Sequence, residues 1–298
     1  MSSIAATLNS TNVRNGVVMA WQRMRMAATS ALAPEAAIEI ASRLFTTPPH
    51  FAHTPAELEL LEKGARFDVV SPVGRLAAWR FGDASRPAII ASHGWGGRGA
   101  QLRAFVPAFV EAGYQVVVFD HAAHGLSGGS EATLVHFVKG LDAIVRDVES
   151  NGAQVVALIG HSLGAAAVGG WLNESRRPMH AVLVAPPISL QRYSGFFARR
   201  VGITEPIRRA MQERFERHYG YRWEDFELPK SVEHMRAQAL VIHDEGDHDV
   251  VIASGRALAN AWPGAQFMQT QGLGHHRILR DPAVVARAVE FVSHAPTV

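Results

Sequence analysis

The sequence predicts an α/β fold: a mostly parallel, eight-stranded sheet with helices on both faces. After Pro87, short apolar runs alternate with longer amphipathic stretches, which is the pattern of strands joined by crossover helices. The runs are apolar on both sides, as in strands that helices cover from both faces. A chain of 298 residues, 48% hydrophobic and 19% charged, is long enough to bury such a sheet.

Eight segments carry the strand pattern. The first two flank a turn at 71–74 (SPVG), whose proline and glycine are typical of a connection between paired strands. The other six are buried runs, separated by segments long enough for helices. The predicted strands are residues 66–70, 75–81, 88–91, 116–119, 155–159, 181–184, 239–242 and 266–268.

Residues 1–65 precede this alternation and are predicted to form a helical N-terminal extension. A first helix is predicted over 14–30 and a second from Pro34; a third begins with the capping-box sequence TPAE at 54–57 and ends at Gly64. The first helix is interpreted as amphipathic and docked, although an arginine-containing, acid-free N-terminus also resembles a transit peptide. Its docked face would carry Val17, Val18, Trp21 and Met24.

The spacing of the strand pattern breaks once. About fifty residues separate the run ending near Ala185 from the run beginning near Ala239, which is more than a simple crossover needs. The sequence therefore predicts a helical cap insertion at 188–236 between two parts of the core, 66–187 and 237–298. Ligands of open α/β sheets bind at the carboxyl edge of the strands, so the cap is expected over that edge.

Composition excludes several classes of protein. The formal net charge is +2 and no run of five like charges occurs, so nucleic acid is not expected as a partner. The chain has no cysteine, which excludes disulfides, thiolate metal sites and a cysteine nucleophile and fits a cytoplasmic protein. No apolar stretch reaches the roughly 20 residues that a membrane-spanning helix needs.

Residues 160–164 read GHSLG and fit the pattern G-x-S-x-G, directly after a buried strand and directly before an alanine run. A nucleophile on such a turn has strained backbone angles, so small neighbours are needed, and Gly160 and Gly164 supply them. The N-terminus of the following helix favours developing negative charge. Ser162 is therefore predicted to be a nucleophile, with a glycine-rich structural turn as the alternative.

Together with two further loops, this motif makes residues 66–295 resemble the α/β-hydrolase family. The loop at 92–97 (SHGWGG) looks like the oxyanion loop of the family. The loop at 120–127 (DHAAHGLS) resembles the one after the next strand, except that Ala-Ala replaces the usual Pro-Gly. The resemblance implies the α/β-hydrolase fold and an esterase-like serine hydrolase whose oxyanion hole uses the backbone N–H groups of Trp95 and Leu163.

The resemblance also implies an acid and a histidine base, which follow the serine in that order along the chain. His275, in the sequence GLGH after the last strand, matches the histidine, and the adjacent His276 is the rival. Asp247, in the loop after the preceding strand, matches the acid, and Asp244 and Asp249 are alternatives. The acid would fix the histidine tautomer and stabilise the imidazolium.

Three side chains near these loops are assigned to a substrate pocket: His93, Trp95 and His161. For each of them a structural role is the competing interpretation. The acidic loop also offers metal ligands, but exposed loop carboxylates are usually solvated and serine chemistry needs no ion, so neither a metal nor a cofactor is expected. The potential ligands are His121, His124, His243, Asp244, Asp247, His248 and Asp249.

The predicted function is cofactor-independent hydrolysis of a carboxylic ester or related acyl bond in a small-molecule substrate. Ser162, His275 and Asp247 would act through an acyl-enzyme. An acyltransferase that uses the same residues is one alternative, and a non-catalytic ligand-binding protein on the same fold is another. The sequence indicates neither the acyl chain nor the oligomeric state.

Overall fold

The computed structural model describes residue 21 and residues 23–293, except the side chains of Pro229 and Ser231. The chain forms two compact units. The smaller unit contains the described residues up to Thr46 together with Ser189–Glu224; the larger contains Thr47–Ile188 and the described residues from Asp225 onward. The division into extension, core and cap stays a prediction, and the last part of that extension, 47–65, belongs to the larger unit.

The larger unit is built on one eight-stranded sheet, and all eight predicted strands are confirmed to within two residues at each end. Their order in the sheet is β1-β2-β4-β3-β5-β6-β7-β8. The strands are β1 (Ala65–Ser71), β2 (Gly74–Phe81), β3 (Ala88–Ser92), β4 (Gln115–Phe119), β5 (Val155–His161), β6 (His180–Val184), β7 (Gln238–Asp244) and β8 (Gln266–Thr270).

Strand pairing makes the sheet mostly parallel, as predicted. β1 and β2 are antiparallel, with Ser71 opposite Gly74, and β2 is also antiparallel to β4. From β4 to β8, all neighbouring strands are parallel. Parallel strands end at one edge of a sheet, so the loops after β3, β5, β7 and β8 lie along the same edge.

From β3 to β8, the helices of the larger unit alternate with the strands, as predicted. None of the described helices combines the length and the apolar character that a bilayer crossing requires. Short 3-10 turns occur at Gly99–Leu102, Trp223–Phe226, Val232–His234 and Ile278–Arg280. The helices are α1 (23–32), α2 (Pro34–Thr46), α3 (Pro55–Lys63), α4 (Phe105–Glu111), α5 (Leu134–Ser150), α6 (Leu163–Ser175), α7 (Leu190–Val201), α8 (Glu205–Tyr219), α9 (Leu228–Ser231), α10 (Ile252–Ala261), α11 (Gly274–Arg277) and α12 (Pro282–Ser293).

Helices cover both faces of the sheet. Every residue of β3 and β4 is buried, which explains why these runs are apolar throughout. Ile89 and Val118 pack on one face with Phe105 of α4 and Phe291 of α12. Helices α5 and α6 contact β3 and β5 as well as each other. The central strands of the sheet therefore form a buried platform for the loops at its carboxyl edge.

The smaller unit has its own aromatic core around Phe45 of α2. The Phe45 ring lies 5.0–5.9 Å from four aromatic rings, those of Tyr193, Phe197, Phe215 and Trp223. The predicted docked face of the first helix is wrong where it is described: Trp21 and Met24 are exposed, whereas Met26 is buried. Met26 lies about 200° around the helix from Met24, on the opposite face. Val17, Val18 and the rest of that prediction before residue 21 lie outside the described residues.

Candidate active site

Ser162 occupies a sharp turn between a strand and a helix. β5 ends at His161 and α6 begins at Leu163, so Ser162 alone joins them. Its backbone angles, φ 52° and ψ −122°, lie outside the regions that a non-glycine residue ordinarily adopts. The Ser162 N–H donates to the Val184 carbonyl oxygen at 2.9 Å, which ties the turn to the end of β6. Such strain costs about 1–3 kcal/mol and persists only where the surrounding structure enforces it.

The two glycines of the motif allow close approach of the backbone. A β-carbon at Gly160 would lie 2.5 Å from the Ala165 Cα, and one at Gly164 would lie 2.3 Å from the Ser92 carbonyl oxygen. Both distances are well inside van der Waals contact and involve backbone atoms that cannot move aside. These glycines therefore let the start of α6 pack directly against β5 and the end of β3.

Asp247 and His275 meet where β7 and β8 end. Asp247 lies in the loop after β7 and His275 in the short helix α11, and His275 Nδ1 lies 2.7 Å from Asp247 Oδ2. An ionised carboxylate only accepts hydrogen bonds, so Nδ1 carries the proton and Nε2 is left free to accept one. The other oxygen, Asp247 Oδ1, accepts the N–H groups of Asp249 and Val250, both at 2.9 Å. The loop thus fixes the carboxylate, and the carboxylate fixes the histidine tautomer.

His243 also holds this carboxylate, a contact that the sequence did not reveal. Its Nε2 donates to the Val250 carbonyl oxygen at 2.8 Å and lies 3.5 Å from Asp247 Oδ2. Burial by itself would raise the pKa of Asp247, but hydrogen bonds from His243, His275 and the Val250 N–H outweigh it and hold that pKa well below its usual value. In the sequence, the only indication of this contact was that His243 lies four residues before Asp247.

The rival residues do not form this pair. Asp244 accepts two backbone N–H groups and one hydroxyl at 2.7–3.0 Å, so it shapes the loops at the ends of β7 and β8. Asp249 gives its backbone N–H to Asp247, and its side chain is exposed. His276 is exposed beside His275, with the two rings 5.1 Å apart. The structure thus pairs His275 with Asp247 among the three aspartates considered.

The loop after β3 runs beside Ser162. A β-carbon on Gly94 would lie 2.8 Å from the Ser162 Cβ, so the backbone there passes very close to the serine. The Gly96 N–H donates to a histidine ring nitrogen at 3.0 Å, whereas the Trp95 N–H has no acceptor among the described residues. Across the turn, the Leu163 N–H belongs to the first turn of α6 and likewise has no acceptor in the described part of the chain.

A histidine cluster (His93, His121 and His124) supports this loop from within the core. His93 Nδ1 donates to the Gly94 carbonyl oxygen at 2.7 Å, and its Nε2 accepts the His121 N–H at 3.0 Å. His124 Nδ1 donates to the Ala122 carbonyl oxygen at 2.8 Å. Burial lowers the pKa of all three rings, that of His124 to about 4. His93 is fully buried and does not line the cleft, so its assignment to a substrate pocket is corrected: both ring nitrogens bind backbone groups.

His161 connects the serine turn to the loop that carries His275. Its Nε2 donates to the His275 carbonyl oxygen at 2.9 Å, and the two rings lie 4.7 Å apart. His161 Nδ1 is buried and has no partner among the described residues. Burial, together with the neighbouring His275, lowers the pKa of His161 well below its usual value. His161 is therefore neutral and holds His275 through its backbone.

Ser162 and His275 line one cleft of about 500 Å³. Trp95 and His161, which the sequence assigned to a pocket, line it too. Cavities of about 300–1,000 Å³ are the usual size for small-molecule ligands. The remaining walls come from the segment leading into α3 and from the 3-10 turns at Gly99–Leu102 and Ile278–Arg280.

A buried ion pair forms part of these walls. Arg98 Nη2 lies 2.6 Å from Glu57 Oε2, and the two side chains are 8% and 3% exposed. The same Glu57 oxygen accepts the Thr54 N–H at 2.7 Å, as the capping-box prediction requires. Glu57 therefore both caps α3 and ties it to the loop after β3. No local pattern could have signalled this, because the partners are 41 residues apart.

One set of potential metal ligands exists among the described residues. Asp247, Asp249 and His275 each offer a ligand atom, and these atoms lie within 4.8 Å of one another. Two of these three residues, Asp247 and His275, are already joined by a hydrogen bond. His243 and Asp244, which the sequence also offered as ligands, are engaged in the bonds described above.

A mostly parallel sheet with a strained serine after β5, a carboxylate after β7 and a histidine after β8 defines an α/β hydrolase. The family model described as "Serine aminopeptidase, S33" matches residues 83–290. The chain belongs to this family, and it is a hydrolase by that membership.

Solved structures of similar fold come from several organisms, and these likenesses show the fold. No curated protein matches the chain. An esterase from Pyrococcus furiosus is 21% identical over 82% of this chain and 97% of its own, with a TM-score of 0.64. The Mycobacterium tuberculosis protein Rv0554 is 20% identical over 78% and 100%, with a TM-score of 0.61. An esterase from Rhodococcus is 18% identical over 77% and 98%, with a TM-score of 0.59.

Proposed function

We propose that the protein is a cofactor-independent serine hydrolase that cleaves a carboxylic ester or related acyl bond in a small-molecule substrate. The observation that carries this proposal is the strained Ser162 turn in one cleft with the His275–Asp247 hydrogen bond. The family match supports hydrolysis, and the similar structures named as esterases favour an ester bond.

In the acylation step, His275 Nε2 takes the proton of Ser162 Oγ while Oγ attacks the acyl carbon. The carbonyl electron pair moves to oxygen, and the N–H groups of Trp95 and Leu163, which have no acceptor in the described structure, bind the oxyanion. This attack forms a tetrahedral intermediate. When the intermediate collapses, the bond between the acyl carbon and the leaving group breaks. The leaving alkoxide takes the proton from His275 and departs as an alcohol, and the acyl group stays on Ser162.

In the deacylation step, water gives one proton to His275 Nε2 as its oxygen attacks the acyl carbon. The bond to Ser162 Oγ then breaks, Oγ recovers the proton, and a carboxylic acid leaves. Asp247 stabilises the imidazolium in both steps. The hydrogen bonds that lower the pKa of Asp247 keep its carboxylate ionised, so Asp247 can stabilise the imidazolium without taking the proton itself.

Replacing the nucleophile tests the proposal. Ser162→Ala should reduce turnover of 4-nitrophenyl butyrate to a small fraction of the wild-type rate, because catalysis by the oxyanion donors alone is weak. Ser150→Ala changes an exposed serine outside the cleft and should leave turnover unchanged. Circular dichroism should show the same fold for both variants. Unchanged turnover in Ser162→Ala would overturn the assignment.

Two further measurements separate the alternative functions. A fluorophosphonate probe should add one phosphonyl group to Ser162, located by peptide mass spectrometry, whereas a purely ligand-binding protein would not react. Adding alcohols during turnover measures the partition of the acyl-enzyme between transfer and hydrolysis. Hydrolysis should dominate; predominant transfer at low alcohol concentration would identify an acyltransferase.

A further inference from the structure

Two arginines of the cleft have no acidic partner among the described residues. The cleft is lined by three arginines, Arg98, Arg103 and Arg280, and by a single carboxylate, that of Glu57. Glu57 is paired with Arg98, whose Nε and Nη2 both donate to its Oε2, at 2.9 and 2.6 Å. Arg103 and Arg280 form neither an ion pair nor a side-chain hydrogen bond with any described residue. The cleft therefore carries two uncompensated positive charges.

The fold brings these two arginines to neighbouring positions. Arg103 directly follows the 3-10 turn Gly99–Leu102, Arg280 ends the turn Ile278–Arg280, and the two turns contact each other. The nearest acid in sequence, Asp281, accepts the first N–H groups of α12 at 3.0 and 3.1 Å and forms no ion pair with Arg280. Arg103 is half-buried, so its charge is partly shielded from solvent.

Several arginines outside the cleft, by contrast, are compensated by acids. Arg177 binds Glu149 through two nitrogens, at 2.6 and 3.0 Å. In the smaller unit, Arg208 and Arg209 share Glu205.

Neighbouring like charges repel, and a cleft lined by one sign of charge attracts ions of the opposite sign. The planar guanidinium matches a carboxylate in shape and hydrogen-bond geometry.

We propose that the cleft selects esters that carry a free carboxylate, which Arg103 and Arg280 bind while the ester carbonyl lies at Ser162. The proposal rests on the proposed hydrolase function and adds the class of its substrate. The carboxylate belongs either to the acyl group, as in a half-ester of a dicarboxylic acid, or to the leaving group, as in an acyloxybenzoate. Neutral esters of the same length lack the partner for the two guanidinium groups.

Matched charged and neutral esters test this inference. For the acyl side, mono-4-nitrophenyl glutarate is compared with its methyl ester; for the leaving group, 4-butyryloxybenzoate is compared with its methyl ester. One carboxylate-bearing ester should exceed its neutral partner in kcat/KM by about tenfold or more, the usual effect of charge-assisted hydrogen bonds. In the double variant Arg103→Gln/Arg280→Gln, the ratio of kcat/KM for the charged ester to kcat/KM for its neutral partner should fall to about one, because the carboxylate loses both guanidinium partners.

The control removes equal charge outside the cleft. Arg86 and Arg146 have side chains that are 62% and 78% exposed, and Arg86→Gln/Arg146→Gln should keep the preference. Equal rates on charged and neutral esters in the wild type would overturn the proposal, as would an equal loss in the control. If the double variant does not fold, Arg280→Gln, at an exposed position, replaces it.

A binding measurement separates this inference from the proposed hydrolase activity. If no ester is cleaved at all, the hydrolase proposal fails, and the carboxylate site is judged by calorimetric titration with glutarate and with benzoate. Binding to the wild type that is lost in Arg103→Gln/Arg280→Gln supports the site. Absence of binding, or binding that the variant retains, overturns it.

Discussion

Two groups of histidines and aspartates lie at the same edge of the sheet, and they use the same side chains in different ways. Beneath the loop after β3, the histidine cluster and Asp120 bind mostly backbone groups. Asp120 accepts the N–H groups of Gly99 and Leu126, one on each oxygen, both at 2.8 Å. After β7 and β8, Asp247 gives one oxygen to backbone N–H groups and the other to the ring of His275.

The difference teaches that the partner, and not the residue type, decides what a buried histidine or aspartate does. Burial raises the pKa of Asp120, although its two backbone hydrogen bonds oppose the shift. The pKa of Asp247 is lowered, because histidine rings add to its backbone donors. A carboxylate that faces only amides shapes a loop; one that faces an imidazole can stabilise a positive charge on that ring.

The largest expected effect comes from removing the charge of Asp247. Asp247→Asn should lower kcat for ester hydrolysis by about 10⁴, because an amide no longer favours the Nδ1–H tautomer of His275 or its imidazolium. Steady-state kinetics with 4-nitrophenyl butyrate measures the loss. Near-ultraviolet circular dichroism should show that the fold is kept.

Asp120→Asn is the matched control, and it should act on stability instead. It weakens one of two buried hydrogen bonds to backbone N–H groups, so the free energy of unfolding should fall by about 1–3 kcal/mol. The kcat of the folded fraction should fall far less than in Asp247→Asn. Equal losses of kcat in the two variants would contradict the assignment of a structural role to Asp120 and a catalytic role to Asp247.

The next effect concerns the pH dependence of stability. The pKa of His124 is lowered from 6.5 to about 4 in the folded state. At a pH between these two values, His124 binds a proton in the unfolded chain but not in the folded chain. The free energy of unfolding therefore falls with falling pH, on the order of 3 kcal/mol from this residue. Urea unfolding from pH 7.5 to 4.5 measures the slope.

His124→Gln isolates that contribution. The amide oxygen of glutamine still accepts the Gly96 N–H but does not titrate in this range. The variant should show a shallower decline of the free energy of unfolding on acidification. An identical slope in both proteins would mean that the proton uptake of unfolding lies elsewhere.

The smallest effect is expected at His161, which lies between the two groups. His161→Leu removes the hydrogen bond to the His275 carbonyl oxygen and should lower kcat about threefold to tenfold with little change in KM. His161→Gln keeps a donor and should restore most of the rate. A loss that appears in KM, or that glutamine does not reverse, would contradict a positioning role.

Much of the fold could be predicted because its signals are local. The strands follow from apolar runs of fixed period, and the serine turn follows from two glycines around Ser162, whose missing side chains the packing requires. The first helix shows the limit of such signals. Its amphipathic pattern did not identify the buried face, which runs through Met26, because the apolar residues lie on more than one side.

The sequence by itself determined the strands, the strained turn and the short list of side chains that could serve it. Only the tertiary structure decided which of them meet. β7 and β8 pair side by side, so the loops after them bring Asp247 to His275, whereas Asp244 binds the Leu273 N–H. Arg103 and Arg280 likewise share the cleft because the 3-10 turns beside them contact each other. Such partners are far apart in the chain, and no local pattern encodes the approach of two separate loops.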